Sequence, residues 1–131
     1  MLSNLFKRTA IEEMRHIERV ADRILFLKGD VLLEAASKVE PIHDVRSMLE
    51  WADNSEQSAI KIYNQLAIEC AANADSATKK LFEDLVMDEE RHFGQFDNEV
   101  ENIKRFGDSY LAQQAMERSK ASAPGPQGSA V

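Results

Sequence analysis

Apolar residues in the first part of the chain recur every three or four positions, the spacing of one face of an α-helix. The pattern covers about residues 4–28 and is carried by Phe6, Ala10, Ile17, Val20, Ile24 and Leu27. Asn4 or Ser3 can cap the start, because both side chains accept a hydrogen bond from a free backbone N–H. Gly29 is expected to end the helix, since glycine adopts left-handed backbone conformations without strain.

A second helix is predicted over about 42–73. Its apolar stripe consists of Val45, Leu49, Ala52, Ala59, Tyr63, Leu66 and Cys70. Pro41 can sit in its first turn, where no backbone N–H is needed. The connection 29–43 is too long for a tight turn between antiparallel neighbours, so it is expected to cross the length of a helix bundle.

A third helix is predicted over about 76–106, with Asp75 or Ser76 as its cap. Its stripe consists of Leu81, Leu85, Phe96, Val100, Ile103 and Phe106. Gly107 is expected to close it, and a short fourth helix follows to about 119. The remaining residues, 119–131, are rich in Ser, Ala, Pro and Gly without periodicity, which predicts a disordered tail.

The pattern therefore predicts one all-α domain over 1–118, since no alternating pattern of β-branched residues indicates a strand.

The net charge of −7 argues against nucleic acid or an anionic membrane as partner, because both require a basic surface. One cysteine, Cys70, excludes an internal disulfide and fits a reducing compartment. No apolar stretch is long enough to span a membrane and no signal peptide is evident, so a cytoplasmic location is expected.

Five polar residues interrupt the apolar stripes. Glu13 and His16 lie on the first predicted helix, Glu89 and His92 on the third, and both pairs have the Glu-x-x-His spacing that places two side chains on one helical face. Glu56 lies in the stripe of the second helix. By the same counting, Glu12 falls off the stripe and is expected on the solvated surface.

Three carboxylates that face one core repel each other, and each is costly to bury without a partner. Two divalent cations are the simplest compensation, because a Glu-x-x-His pair can offer an oxygen and a nitrogen to one ion or bridge two. Di-iron helix bundles use two such pairs together with single glutamates from the other helices. Imidazole and carboxylate suit iron, manganese or zinc. A polar core without metal is the alternative.

These segments resemble bacterioferritin, a ferritin-like di-iron family. The stretch IEEMRH at 11–16, followed by RILFL at 23–27, resembles its second helix, and DEERH at 88–92 resembles its fourth. Glu56 lies where the third-helix ligand is expected, and FGDSYLAQ at 106–113 resembles the start of its short terminal helix. The resemblance covers about residues 9–118.

The resemblance implies a four-helix-bundle fold and a ferroxidase and iron-storage subunit, which oxidises Fe(II) to Fe(III) and forms a homo-oligomeric cage. It implies that Glu13 and Glu89 bridge two iron ions, with His16 and His92 as terminal ligands. Glu56 is then a terminal carboxylate on the His92 iron. Met14 matches the family's haem-ligating methionine, which implies a haem b shared by two subunits; packing at an interface is the other interpretation.

The chain departs from the family pattern at the first helix of the bundle. In the family, this helix supplies a terminal glutamate to the iron that corresponds to the His16 iron. The resemblance begins at the second helix, so the chain is expected to be truncated at its N-terminus. Three explanations are consistent with this departure. The gene product is longer than this sequence, a partner supplies the helix, or part of the site has been lost. The alternatives in function are another di-iron oxidase or peroxidase, such as a rubrerythrin-like protein, and a haem-binding or structural subunit with an incomplete metal site.

Overall fold

The computed structural model describes residues 2–35 and 37–122, and the regular secondary structure in this part of the chain is α-helical. Helix α1 spans Leu2–Phe26, α2 spans Val45–Ala72 and α3 spans Ser76–Ser122. Helix α3 packs against both others, most extensively against α2, whereas the backbones of α1 and α2 do not approach each other closely within the described residues. The bundle is thus open along one side, between α1 and α2. None of the helices described is long and apolar enough to cross a membrane.

Helix α1 ends with a hydrogen-bonded turn rather than at a left-handed glycine. Lys28 has the positive φ of 66°, and Gly29 donates its backbone N–H to the Ile24 carbonyl at 2.9 Å. The prediction placed the left-handed residue one position too late. Glycine is still required at 29, because a Cβ there would lie 2.9 Å from the Ile24 side chain.

The second helix begins later than the sequence pattern indicated. Asp44 caps it by accepting a hydrogen bond from the Ser47 backbone N–H at 2.9 Å, so the first helical residue is Val45 and Pro41 lies in the connection. At the other end Ala74 takes a left-handed conformation. Asp75 then caps α3 as predicted, through the Thr78 backbone N–H at 3.0 Å.

Gly107 interrupts α3 where the sequence predicted a helix end. Its φ of 58° and ψ of −138° depart from helical geometry and produce a kink, after which the helix continues to Ser122. A Cβ at this position would meet no other atom within 4 Å, so the backbone conformation alone favours glycine. Residues 119–122, expected in the tail, belong to this helix, and 123–131 lie outside the described residues.

Two apolar clusters occupy the bundle, one toward each end. One cluster contains Leu5, Leu49, Ala52, Phe96 and Ile103. The other contains Ala67, Phe82 and Leu85, with half-buried residues packed against it. The layer between the two clusters is polar, and the five residues that interrupt the predicted stripes lie there.

The buried face of α1 differs from the predicted stripe. Leu5, Thr9 and His16 are buried, whereas Ala10 and Ile17 are exposed, with Ile17 at 52%. The prediction was wrong here because α1 contacts α3 with a narrow face. Its apolar residues extend around the helix beyond that contact, toward the open side of the bundle and the outer surface.

Candidate metal centre

All three helices contribute to the polar layer, and the structure brings the five predicted residues together. Helix α1 contributes Glu13 and His16, α2 contributes Glu56, and α3 contributes Glu89 and His92. Four of them are buried, and Glu13 is partly open to solvent. The i, i+3 spacing directs both members of each Glu-x-x-His pair toward the same neighbouring helices.

Both glutamates of the Glu-x-x-His pairs lie between the two imidazoles. One carboxylate oxygen of Glu13 lies 3.3 Å from Nδ1 of His16, and its other oxygen lies 3.0 Å from Nδ1 of His92. Glu89 repeats this arrangement, at 3.0 Å from His16 and 3.3 Å from His92. The imidazole rings are stacked with their centroids 5.8 Å apart. Each carboxylate therefore offers one oxygen toward each histidine, which is the arrangement of a bridging ligand.

Glu56 makes the cluster asymmetric. Its Oε2 lies 3.9 Å from Nδ1 of His92, and Glu13, Glu56, Glu89 and His92 offer ligand atoms that all lie within 4.8 Å of one another. Among the described residues, no carboxylate occupies the corresponding place beside His16. One cation position thus has four candidate ligands and the other has three.

Buried polar atoms in the cluster fit a cation better than they fit each other. Oε1 of Glu13, Nδ1 of His16 and Oε1 of Glu89 are buried without a hydrogen bond of good geometry, although they lie at ion-pair distances. Buried polar atoms in folded proteins are normally satisfied. Carboxylate oxygens and imidazole nitrogens that point at a common space suit divalent iron, manganese or zinc.

The histidines are strongly basic in the metal-free protein. The adjacent Glu13 carboxylate, and then that of Glu89, raise the pKa of His16 to about 10. Burial lowers the pKa of His92, but Glu13 and Glu89 outweigh it and raise that pKa to about 10 as well. Protons therefore occupy the centre at neutral pH when no cation does, because positive charge is needed among the carboxylates.

The carboxylates divide into a protonated and an ionised group. Burial, and then the neighbouring Glu89, raise the pKa of Glu56 to about 8. Burial also acts to raise the pKa of Glu89, but hydrogen bonds with His16 and His92 outweigh it and hold that pKa well below its ordinary value. Two carboxyl groups in contact cannot both ionise cheaply, so one proton stays on Glu56.

Two acidic residues outside the predicted set contact the histidines. Glu12 lies 2.7 Å from Nε2 of His92, so its expected place on the solvated surface was wrong. Asp88 lies 3.3 Å from Nε2 of His16. A sequence signal for both exists, because each directly precedes a glutamate of a Glu-x-x-His pair. Helical counting placed only Glu12 off the apolar stripe, and the sequence pattern assigned Asp88 no role beyond the DEERH motif.

Met14 lies away from this cluster. It is 56% exposed on the outer side of α1, between the exposed Ile11 and Ile17. The thioether lies on an exposed apolar strip, where a flat apolar group or a second subunit can contact it.

A groove of about 400 Å³ leads to the cluster from the open side of the bundle. It is lined by Phe6, Thr9, Ala10, Glu13, Trp51, Ala52, Ser55, Glu56, Ala59 and Phe96. Mostly apolar side chains line it, and two carboxylates of the centre border it. Trp51 in this groove is 63% exposed, which is unusual for so large an apolar side chain.

The fold and the cluster define an all-α protein with a carboxylate–histidine centre between three helices. Residues 1–106 match the family described as the ferritin-like domain. The chain belongs to this family.

Its relatives include bacterioferritins. The protein from Desulfovibrio desulfuricans is 35% identical over 106 residues, which cover 81% of this chain and 59% of that protein. The protein from Rhodobacter capsulatus is 33% identical over 98 residues, covering 75% and 61%. The chain therefore spans only about three fifths of the length of these relatives.

Two solved structures have the same fold. The bacterioferritin of Desulfovibrio desulfuricans, whose structure is described as showing the diiron site in different catalytic states, superimposes with a TM-score of 0.79 at 34% identity. The match covers 82% of this chain and 63% of that one. A mycobacterial bacterioferritin superimposes with a TM-score of 0.80 at 25% identity, covering 86% and 70%.

Proposed function

We propose that this chain is a ferroxidase and iron-storage subunit that oxidises Fe(II) to Fe(III) at a di-iron centre, in the cytoplasm. The observation that carries the proposal is the position of Glu13 and Glu89, each with one oxygen toward either histidine. Such carboxylates hold two cations next to each other. The bacterioferritin relatives support iron as the metal.

In this function the five residues bind and orient the metal. Glu13 and Glu89 would hold both ions, His16 and His92 would each hold one, and Glu56 would hold the ion next to His92. Iron bound there would supply the electrons that dioxygen or peroxide accepts, and the protein would supply the fixed spacing of the ligands.

The position next to His16 has fewer candidate ligands, and we propose that a helix bearing a carboxylate fills the groove between α1 and α2. An earlier segment of the same polypeptide or a partner chain can supply it. The groove is apolar enough to bind an amphipathic helix and reaches Glu13 and Glu56. In a homo-oligomeric cage, the subunits would store the oxidised iron.

Haem b, held by Met14 from each of two subunits, is a second cofactor in this proposal. The exposed strip around Met14 supports it, because a thioether at the surface leaves room for a second chain to bring its own thioether to the same group.

Metal binding and turnover test the proposal together. Anaerobic titration with Fe²⁺ should show up to two ions per chain, and Glu13→Ala or Glu89→Ala should weaken both positions because each residue bridges. Glu18→Ala, an exposed change on α1, is the matched control. Aerobic Fe(II) oxidation should fall in parallel. Iron binding no stronger than in the bridging variants would refute the site.

The three-ligand position beside His16 favours one other function, that of a haem-binding or structural subunit with an incomplete metal centre. That function predicts metal binding at the His92 position without Fe(II) oxidation above the rate of the Glu89→Ala variant. A second di-iron chemistry, peroxide reduction, would appear as iron oxidation that peroxide supports and dioxygen does not.

A further inference from the structure

Each histidine of the centre is held from outside by an acidic residue of the opposite helix. His92 on α3 has Nε2 2.7 Å from Oε2 of Glu12 on α1. His16 on α1 has Nε2 3.3 Å from Oδ2 of Asp88 on α3. The two contacts cross between the same helices in opposite directions, so each helix orients the imidazole that the other one carries.

Arg91 connects these two contacts. Its Nη2 lies 2.7 Å from Oε2 of Glu12 and 3.2 Å from Oδ1 of Asp88. Arg19 makes a further ion pair with Asp88, with Nη1 3.5 Å from Oδ2. The guanidinium groups offset the charge of two carboxylates that lie beside an already acidic cluster. Because the charges form a network, they constrain each other more than isolated surface pairs do.

We propose that Glu12 and Asp88, joined by Arg91, are positioning residues that direct Nδ1 of His92 and of His16 into the centre. An ionised carboxylate only accepts hydrogen bonds, so the Nε2 that faces it carries a proton. Nδ1 of the same ring, which faces Glu13 and Glu89, is then the atom that gives up its proton to a cation. Outer partners of this kind set the ring orientation and tautomer of metal-binding histidines.

Burial makes these contacts necessary for the rings. His92 is 1% exposed and His16 is 4% exposed, so loss of the carboxylate at Nε2 either admits water to the N–H or leaves it unsatisfied, which favours another ring orientation. Glu12 and Asp88 are themselves partly exposed, with side-chain exposures of 31% and 34%. They can therefore be replaced without opening a cavity in the core.

The first measurement uses the metal-free protein and does not depend on the proposed function. In ¹H–¹⁵N spectra of the imidazoles at neutral pH, the Nε2–H signals of both histidines should be protected from exchange. Glu12→Ala should abolish protection at His92 and keep it at His16, and Asp88→Ala should do the reverse. Glu12→Gln should retain protection, because the amide oxygen still accepts the hydrogen bond. Glu90→Ala, an exposed change on α3, should alter neither signal.

The second measurement, which rests on the proposed function, is calorimetric titration of the full chain with Zn²⁺. Glu12→Ala should weaken one of two binding events by roughly 10–100-fold and leave the other nearly unchanged, the usual cost of removing an outer partner. Glu12→Gln should recover most of the affinity. Arg91→Met should weaken both events, whereas Arg15→Met, an exposed change on α1, should weaken neither.

Protection at His92 that survives in Glu12→Ala would overturn the inference, as would equal weakening of both Zn²⁺ positions by that variant. Failure of the proposed function has a different signature. The wild-type chain would then bind no Zn²⁺ while its imidazole protection still depended on Glu12 and Asp88 in the crossed pattern.

Discussion

Replacement of Glu56 by glutamine should stabilise the metal-free protein at high pH. Glu56 is 7% exposed, and burial, followed by contact with Glu89, raises its pKa from an ordinary 4.5 to about 8. A pKa that is higher in the folded state means that this group's contribution to stability is fully present below about pH 4.5. The contribution is lost as the pH rises through about 8.

The size of the effect follows from the two pKa values. At about 1.36 kcal/mol per pH unit, full ionisation of Glu56 in the folded protein costs roughly 3–5 kcal/mol. Glutamine has nearly the same shape and, like the protonated carboxyl, can donate a hydrogen bond to Glu89. It cannot ionise, so the cost disappears. We therefore expect Glu56→Gln to be more stable than wild type by that amount at about pH 9, and nearly equally stable at about pH 4.

Urea unfolding followed by circular dichroism, in the presence of a chelator, measures the free energy of unfolding of both proteins at each pH. Glu50→Gln is the matched control, because Glu50 lies on the same helix but is exposed, and it should change stability by less than about 0.5 kcal/mol at either pH. In the metal-loaded protein the order should reverse, since Glu56→Gln removes a ligand of the position next to His92. A variant that is no more stable than wild type at about pH 9 would refute the assignment of a buried, costly carboxylate.

Three further predictions concern proton release from the centre, haem binding at Met14, and a helix added to the groove between α1 and α2. Metal binding to the metal-free protein at about pH 7 should release up to about three protons, because His16 and His92 have pKa values of about 10 and Glu56 of about 8. Metal affinity should therefore rise with pH. An indicator dye in weak buffer measures the release, and no detected release would contradict the prediction. Met14→Leu should abolish the low-spin haem spectrum at a packing cost under about 1.5 kcal/mol, and a retained spectrum would exclude Met14 as ligand. A synthetic amphipathic helix with one inward glutamate should raise both the melting temperature and the rate of Fe(II) oxidation, whereas the same peptide with alanine should raise only the melting temperature; a fully active chain without any peptide would show that the groove needs no occupant.

The residues of the centre could be predicted from the sequence because helical periodicity is a local property. Glu13 and His16 share a face whatever they pack against, and so do Glu89 and His92. Glu56 could be added because it falls in the apolar stripe of its own helix. Carboxylates in such stripes indicate compensation by cations, since burial of charge is costly in any fold.

Helix caps were predictable for the same reason where a side chain accepts a hydrogen bond from a backbone N–H a few residues along the chain. Asp75 does so at the start of α3. They were less predictable where the backbone alone decides. The left-handed residue after α1 is Lys28 and not Gly29.

Only the tertiary structure decided how the helices turn toward each other. Spacing along one helix says which side chains lie together, but the direction in which that face points depends on the helix packed against it. Helix α1 contacts α3 with the face of Leu5, Thr9 and His16, so Ile17 lies outside. The same rotation brings Glu12 against His92 and Asp88 against His16. Contacts between residues so distant in sequence depend on packing geometry, which no local pattern of apolar and polar positions encodes.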